Sequence, residues 1–299
     1  MKVAPSDSNI ILTITPKDNV PSALYITLSI QMKGHFQDAQ LSICLLGVEK
    51  YEGQDKKVKY VFYRRSIEDR TITICSDKMT EYNYLHCFGE SILPSTFAYS
   101  NPFESITASI QYKLKVKITN RSEKLLFKKS IHIPYHTKIT HTPTTSFTHT
   151  LFQNTITFNI KLNNSLYKSN ERILSKCHIT KPVWDIYTNL TKLKICCKLR
   201  QTIILKERIW YLFNSYIKHD NDLVKVEHSI NNIPDYLDQS VWEFPIWIDL
   251  RAINMANVLG STASSSYLEN KYNLVFDVRM EDNRMLKEEF SIPLLIKAL

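Results

Sequence analysis

An all-β chain built as two tandem antiparallel β-sandwich lobes of the immunoglobulin-like kind is the architecture this sequence predicts, and three observations carry it. Apolar and polar residues alternate with a period of two through most of the chain, the mark of strands with one buried face. Only five glycines occur, so neither a Gly-x-Gly-x-x-Gly turn nor a P-loop can be assembled, and a parallel nucleotide-binding fold is disfavoured. The third observation is a repeat. Ile110 to Pro134 reads as two alternating runs around a polar turn, and Lys271 to Pro293 closes the chain with a similar pair. Tyr112 precedes Pro134 by 22 positions and Tyr272 precedes Pro293 by 21, at an offset of about 160 residues. A second match, Leu41 to Leu45 with Leu193 to Cys197, has an offset of 152 and keeps the same order. A self-match at a nearly fixed period points to two similar units.

Taken in order, Asn9 to Thr15 and Leu24 to Gln31 alternate as strands, and Leu41, Ile43 and Leu45 mark a third that ends at Gly47. The charged stretch Glu49 to Lys59 reads as a loop, followed by strands over Val58 to Tyr63 and Arg70 to Cys75. Tyr82 to Phe103, with Gly89, Pro94 and Pro102, reads as an extended, packed connection leading into the Tyr112 hairpin. Seven threonines with Pro143, His141 and His149 make Thr137 to Thr150 the natural linker. The lobes are therefore placed at 1–137 and 151–299, with 138–150 between them.

In the second lobe, Ile156 to Leu162 alternates, Asn163 to Ser165 turns, and Arg172 to Thr180 returns. Leu193, Ile195, Cys197 and Leu199 alternate with basic residues. Ile203 to Lys218 fits a strand, favoured by its neighbours; the alternative is a basic amphipathic helix with Trp210, lying on a membrane. Asn231 to Tyr236 is a loop, Phe244 to Leu250 a strand whose Pro245 suits an edge, and Gly260 to Ser266 a small-residue loop.

Lys plus Arg total 38 against 29 acids, a formal net charge of +9, which favours anionic partners. No apolar leader and no membrane-spanning run is evident, so a cytoplasmic location is expected, with peripheral association at plasma membrane or endosomes compatible with the charge. In that setting the six cysteines are expected to stay reduced, several as small core residues. They form no Cys-x-x-Cys pair, so neither a zinc site nor any other cofactor is expected.

Candidate binding residues come from two basic stripes, because a strand places alternate side chains on one face. Lys113, Lys115 and Lys117 form the first; Lys192, Lys194, Lys198 and Arg200 form the second. Each reads either as a solvated face that discourages aggregation or as a rigid row of cations for phosphates and acidic side chains. Consecutive carboxylates such as Glu288-Glu289 point to opposite faces of a strand, and His132, His136, His141 and His149 read as exposed, so no catalytic constellation stands out and a non-enzymatic role is expected.

Leu46-Gly47-Val-Glu49, Gly89 with Leu93-Pro94-Ser95 and Phe97, the Tyr112 hairpin, Leu166-Tyr167 with Asn170-Glu171, Leu193-x-Ile195-x-x-x-Leu199 and the Tyr272 hairpin together resemble the arrestin family, closest to the fungal α-arrestins that act as trafficking adaptors. Lys17-Asp-Asn-Val-Pro21 stands where the family has Tyr-x-Pro-Gly, and Asn170 where it has glycine. The resemblance implies an adaptor that holds cytosolic tails of membrane-protein cargo and brings a HECT-type ubiquitin ligase or endocytic machinery to them. Ile233-Pro234-Asp235-Tyr236 resembles the family's Pro-Pro-x-Tyr motifs, which implies that Pro234 and Tyr236 dock on a WW domain. Two alternatives stand beside it: a structural subunit of a trafficking coat, as in the retromer component that shares the arrestin fold, and a basic nucleic-acid-binding module, for which Tyr60, Phe62, Tyr63, Arg64 and Arg65 supply interleaved aromatics and cations.

Overall fold

The structure, a computed structural model, describes residues 8–16, 23–32, 36–54, 56–74, 80–87, 93–101, 104–133, 135, 145–152, 156–180, 192–209, 213–231, 241–257, 259–265, 267–280 and 286–298. It is an all-β sandwich fold of antiparallel sheets, and the chain divides into two compact units, 1–96 with 100–138 and 97–99 with 139–299.

The first eight strands are β1 (Ser8–Pro16), β2 (Ala23–Met32), β3 (Phe36–Glu52), β4 (Lys57–Ile74), β5 (Thr80–Cys87), β6 (Phe97–Asn101), β7 (Ile106–Thr119) and β8 (Leu125–Ile133). They form a three-stranded sheet, β1-β2-β5, and a five-stranded sheet, β4-β3-β7, with β6 and β8 both pairing β7. Ten more follow: β9 (Ser146–Leu151), β10 (Ile156–Leu162), β11 (Leu166–Lys168), β12 (Arg172–Thr180), β13 (Lys192–Ile209), β14 (Phe213–Asn231), β15 (Val241–Asp249), β16 (Ala263–Ser264), β17 (Leu268–Met280) and β18 (Leu286–Lys297), with a single helix, α1 (Leu250–Asn257), among the described residues. These make the sheets β15-β12-β10-β9 and β14-β13-β17-β18, the latter extended by β16 on β17 and by β11, parallel to β18.

The strand orders repeat. β10-β12-β15 follows the order of β1-β2-β5, and β14-β13-β17 with β16 and β18 follows β4-β3-β7 with β6 and β8. Register refines the equivalence: Leu45 lies opposite Leu114 and Leu199 opposite Leu274. With Tyr112 matched to Tyr272, the partner of Ile43 is therefore Cys197 rather than Ile195. The slip is two residues, so each inward side chain stays inward.

The two tyrosines do the same job. Tyr112 Oη donates to the carbonyl of Pro94 at 2.9 Å, and Tyr272 Oη donates to the carbonyl of Gly260, also at 2.9 Å. Each acceptor lies in the connection just before the short strand, β6 or β16. A buried phenol needs such a partner, and here it pins an irregular segment to the sheet. Burial, first of all, holds both hydroxyls well above the usual tyrosine range.

In the second unit the core closes between its two main sheets. Phe158, Ile160, Ile173, Cys177, Ile246 and Ile248 from one meet Leu193, Ile195, Cys197, Leu199, Leu274 and Phe276 from the other. Phe290 stacks on Phe276 at 4.8 Å and meets the edge of Phe158 at 5.5 Å.

Several expectations change. Glu49 to Lys59 is not a loop: β3 runs on through Glu52, and only a short turn, closed by Gly53 N–H to the Lys56 carbonyl at 2.8 Å, separates it from β4. Buried Glu49 and Tyr51 continue the inward pattern, opposite Ile110 and Ala108 of β7. Gly47 is a mid-strand position against which the Phe62 ring packs, and the two strands expected from Val58 to Cys75 are one. Tyr82 to Phe103 contains most of β5 and all of β6, with 93–96 the packed connection. The last part of the 138–150 linker is strand β9, whose β-branched threonines suit a pleated edge and whose Phe147 packs against the core. Ile203 to Lys218 falls on β13 and β14, so the helical alternative fails where the chain is described.

Candidate functional site

β7 displays two faces. Tyr112, Leu114, Val116 and Ile118 are fully buried, while Lys113, Lys115 and Lys117 lie on the opposite side. Neighbouring strands add to that outer face. β8 places His132 opposite Lys113, Ser130 opposite Lys115 and Lys128 opposite Lys117. Across β3, Leu46 stands between Lys113 and Arg64, and two steps along the pleat Lys50 stands opposite Lys59.

Around Lys113 the electrostatics of this face are one-sided; its carboxylates lie on β3 and β4, where Glu52 pairs with Lys57 at 2.7 Å and Asp69 accepts from Gln40 Nε2 at 2.7 Å. Burial lowers the Lys113 ammonium below the usual lysine range, and Lys50, Lys59 and Lys115 lower it further by repulsion. His132 is lowered in the same way, by burial and then by Lys113 and Lys50. Among the described residues, Lys50, Lys59, Arg64, Lys113, Lys115, Lys117 and Lys128 form no ion pair. Lys117 and Lys128, and likewise Lys50 and Lys59, face each other directly, an arrangement that weakens a sheet when nothing neutralises it.

The matching face of the second unit is neutralised. Arg200 Nε contacts Asp222 at 2.6 Å and Arg200 Nη1 contacts Glu289 at 3.5 Å, while Lys198 reaches Asp222 at 3.6 Å. Asp277, almost fully buried, is contacted by Lys287 at 3.2 Å and Arg279 at 3.4 Å, and Lys225 pairs with Glu227. Burial alone would raise the Asp277 carboxyl, but its hydrogen bonds to Arg279 and Lys287 outweigh that and hold it low. Asp222 is held low chiefly by Arg200. Lys194 lines a cavity of about 270 Å³ with Cys196, Lys198, Glu227 and Arg279. Lys192 opens β13 opposite Asn231.

The two sequence stripes thus separate into a bare one and a paired one. Pro234 and Tyr236 lie outside the described residues, as do His136, His141 and Trp210. His132 and His149 are not in a linker: the first belongs to the basic face, and the second stacks on Phe290 at 4.5 Å. Lys50, Lys59, Arg64 and Lys128 join the site through strand pairing, which the alternation of β7 alone does not reveal. Of the aromatics near Arg64 and Arg65, Phe62 and Tyr63 turn inward, their rings 5.7 and 6.5 Å from that of Tyr112. Cys177 and Cys197 are core thiols; burial pushes Cys177 up to about 12 and raises Cys197 as well. Among the described residues no group of three or more His, Cys, Asp or Glu side chains could hold a metal ion.

No protein-family model and no curated protein matches this chain.

Proposed function

We propose that the protein is a non-enzymatic adaptor, and that the outer face of β3, β4, β7 and β8 is where it holds acidic or phosphorylated peptide segments, such as the cytosolic tails of membrane-protein cargo. The observation that carries this reading is Lys113, crowded by Lys50, Lys59 and Lys115, none of which forms an ion pair among the described residues, while the carboxylates on the same face, Glu52 and Asp69, are engaged by Lys57 and Gln40. Mutual repulsion is unfavourable in the free protein and is relieved when an anion binds. A rigid sheet also holds the cations in place before the ligand arrives, which limits the ordering cost. The inward turn of Phe62 and Tyr63 removes stacking platforms from this face, and so favours peptide over nucleic acid.

Joining such cargo to a HECT-type ubiquitin ligase through Pro234 and Tyr236 belongs to the same proposal and rests on the resemblance to α-arrestins. Two measurements test it. Fluorescence anisotropy with a phosphoserine peptide rich in glutamate should show binding that weakens about tenfold with each of Lys113→Glu and Lys115→Glu, and with added salt. Lys198→Glu, on the paired face, should leave it unchanged; equal losses on both faces, or no binding at low salt, would remove the proposed site. A pull-down with isolated WW domains, compared with Tyr236→Ala, decides the ligase part, which falls if the variant binds as well as the original.

A further inference from the structure

The second unit carries another unneutralised feature, on the solvent side of the sheet β15-β12-β10-β9. A cavity of about 370 Å³ opens there, lined by Leu162, Leu174, Pro245 and Ile246, with exposed Lys161 and Lys176 completing its wall. Strand pairing sets these groups in rows. Lys161, Lys176 and Pro245 lie side by side across β10, β12 and β15, and the next outward row is Leu174 with Trp247. Leu174 is 48% exposed and Trp247 59% exposed, unusual for large apolar side chains on neighbouring strands. Trp247 is held in place, with the Arg172 guanidinium 5.2 Å from its ring centroid and Arg172 Nε in turn 3.2 Å from Asp249. Ser175, which also lines the cavity, is 4% exposed and its hydroxyl has no hydrogen-bond partner among the described residues.

We infer that this surface is a docking site for an extended acidic peptide whose bulky apolar side chain enters the cavity and whose neighbouring carboxylates meet Lys161 and Lys176. Charge complementarity selects the occupant. The two lysines face each other directly across β10 and β12, and among the described residues neither has an ion-pair partner, so a carboxylate placed between them relieves a repulsion while it binds. Geometry sets the pattern. Adjacent outward rows on a strand are two residues apart, about 6.6–6.8 Å, which is the spacing of residues i and i+2 in an extended peptide. The recognised sequence is then an apolar residue with acids two positions away. The hollow suits a side chain rather than a bilayer, because membrane contact calls for apolar groups that project, whereas here Arg172 covers one face of Trp247. Addition of a strand at the edge is opposed by Pro245, which offers no N–H in the middle of β15. This site lies in the unit that does not carry the Lys113 face, and it stands or falls independently of that face.

The test uses the full chain and a fluorescently labelled peptide of the pattern acidic–x–leucine–x–acidic, followed by anisotropy. Expected are measurable binding, a loss of about tenfold or more in the double variant Lys161→Glu, Lys176→Glu, a similar loss in Leu174→Glu, and little binding of a peptide with alanine in place of leucine. Because all three positions are exposed, circular dichroism should show the fold intact. Three outcomes overturn the inference: equal binding of the alanine peptide, which reports charge alone; loss of binding in Lys113→Glu rather than in the Lys161 and Lys176 variant, which places the peptide on the other face; or no peptide binding together with co-sedimentation on phosphatidylserine vesicles that Leu174→Glu abolishes, which makes the surface a membrane contact.

Discussion

Replacing Tyr112 and Tyr272 by phenylalanine, separately, measures what the repeated hydrogen bond contributes. Tyr112→Phe removes the donor to Pro94 and leaves a buried carbonyl without it, while the ring keeps its edge contacts with Phe62 and Tyr135 at 5.7 and 5.2 Å. The expected cost is about 1–2 kcal/mol. Tyr272→Phe removes two bonds, because Tyr272 Oη also accepts from Gln201 Nε2 at 3.1 Å; Gln201 retains Asn270 Oδ1 at 2.9 Å. Its expected cost is about 2–3 kcal/mol. The pH dependence gives a second handle. Both phenols have folded-state values raised above 10.0, so their contribution is complete below that pH and is lost as pH rises, when only the unfolded chain ionises. One such tyrosine loses about 1.4 kcal/mol by roughly pH 11, and phenylalanine loses none. Urea unfolding followed by circular dichroism should therefore show the Tyr112→Phe deficit at pH 7 shrinking to near zero around pH 11. A deficit that is absent at pH 7, or that stays constant across this range, would refute the argument.

Other perturbations separate the same effects elsewhere. Gly47→Ala would place a Cβ 2.6 Å from Phe62 Cζ, so it should cost about 1–3 kcal/mol in urea unfolding, with Phe62→Leu in the same chain restoring part of the loss. Lys113→Met keeps the apolar stem and deletes the charge; it should stabilise the protein by about 0.5 kcal/mol at low salt, less at high salt, while weakening phosphopeptide binding. A sulfated peptide, whose charge does not titrate here, should bind more tightly as pH falls below 6.5 and His132 gains its proton, and this gain should disappear in His132→Asn.

Legibility in the sequence followed burial. β7 was readable because four fully buried residues alternate with exposed lysines, and its hairpin with β8 announced itself through the matching pair at β17 and β18. β3 was cut short because Lys50 and Glu52, with Lys59 and Lys57 opposite them on β4, sit on the water side of a ribbon whose inward Tyr51 is a sparse signal. β9 hid for the opposite reason: its threonines and histidine look like linker until pairing with β10 gives them a sheet, as in the 2.8 Å bond from Thr148 Oγ1 to Asn159 Oδ1. The helix α1 is only eight residues long and is capped by Asp249, which accepts from Arg251 N–H at 3.0 Å. Composition could not separate the two lysine stripes. Lys198 meets Asp222 and Arg200 meets Glu289 across long intervals of chain, so which stripe is neutralised depends on strand order and register.

That contrast means a single change of buffer pulls the two basic faces of this chain in opposite directions. Raising ionic strength mutes attraction around Asp222 and Asp277 but mutes repulsion around Lys113, so the face that salt loosens is the one already supplied with counter-charges, and the face it steadies is the one still short of them.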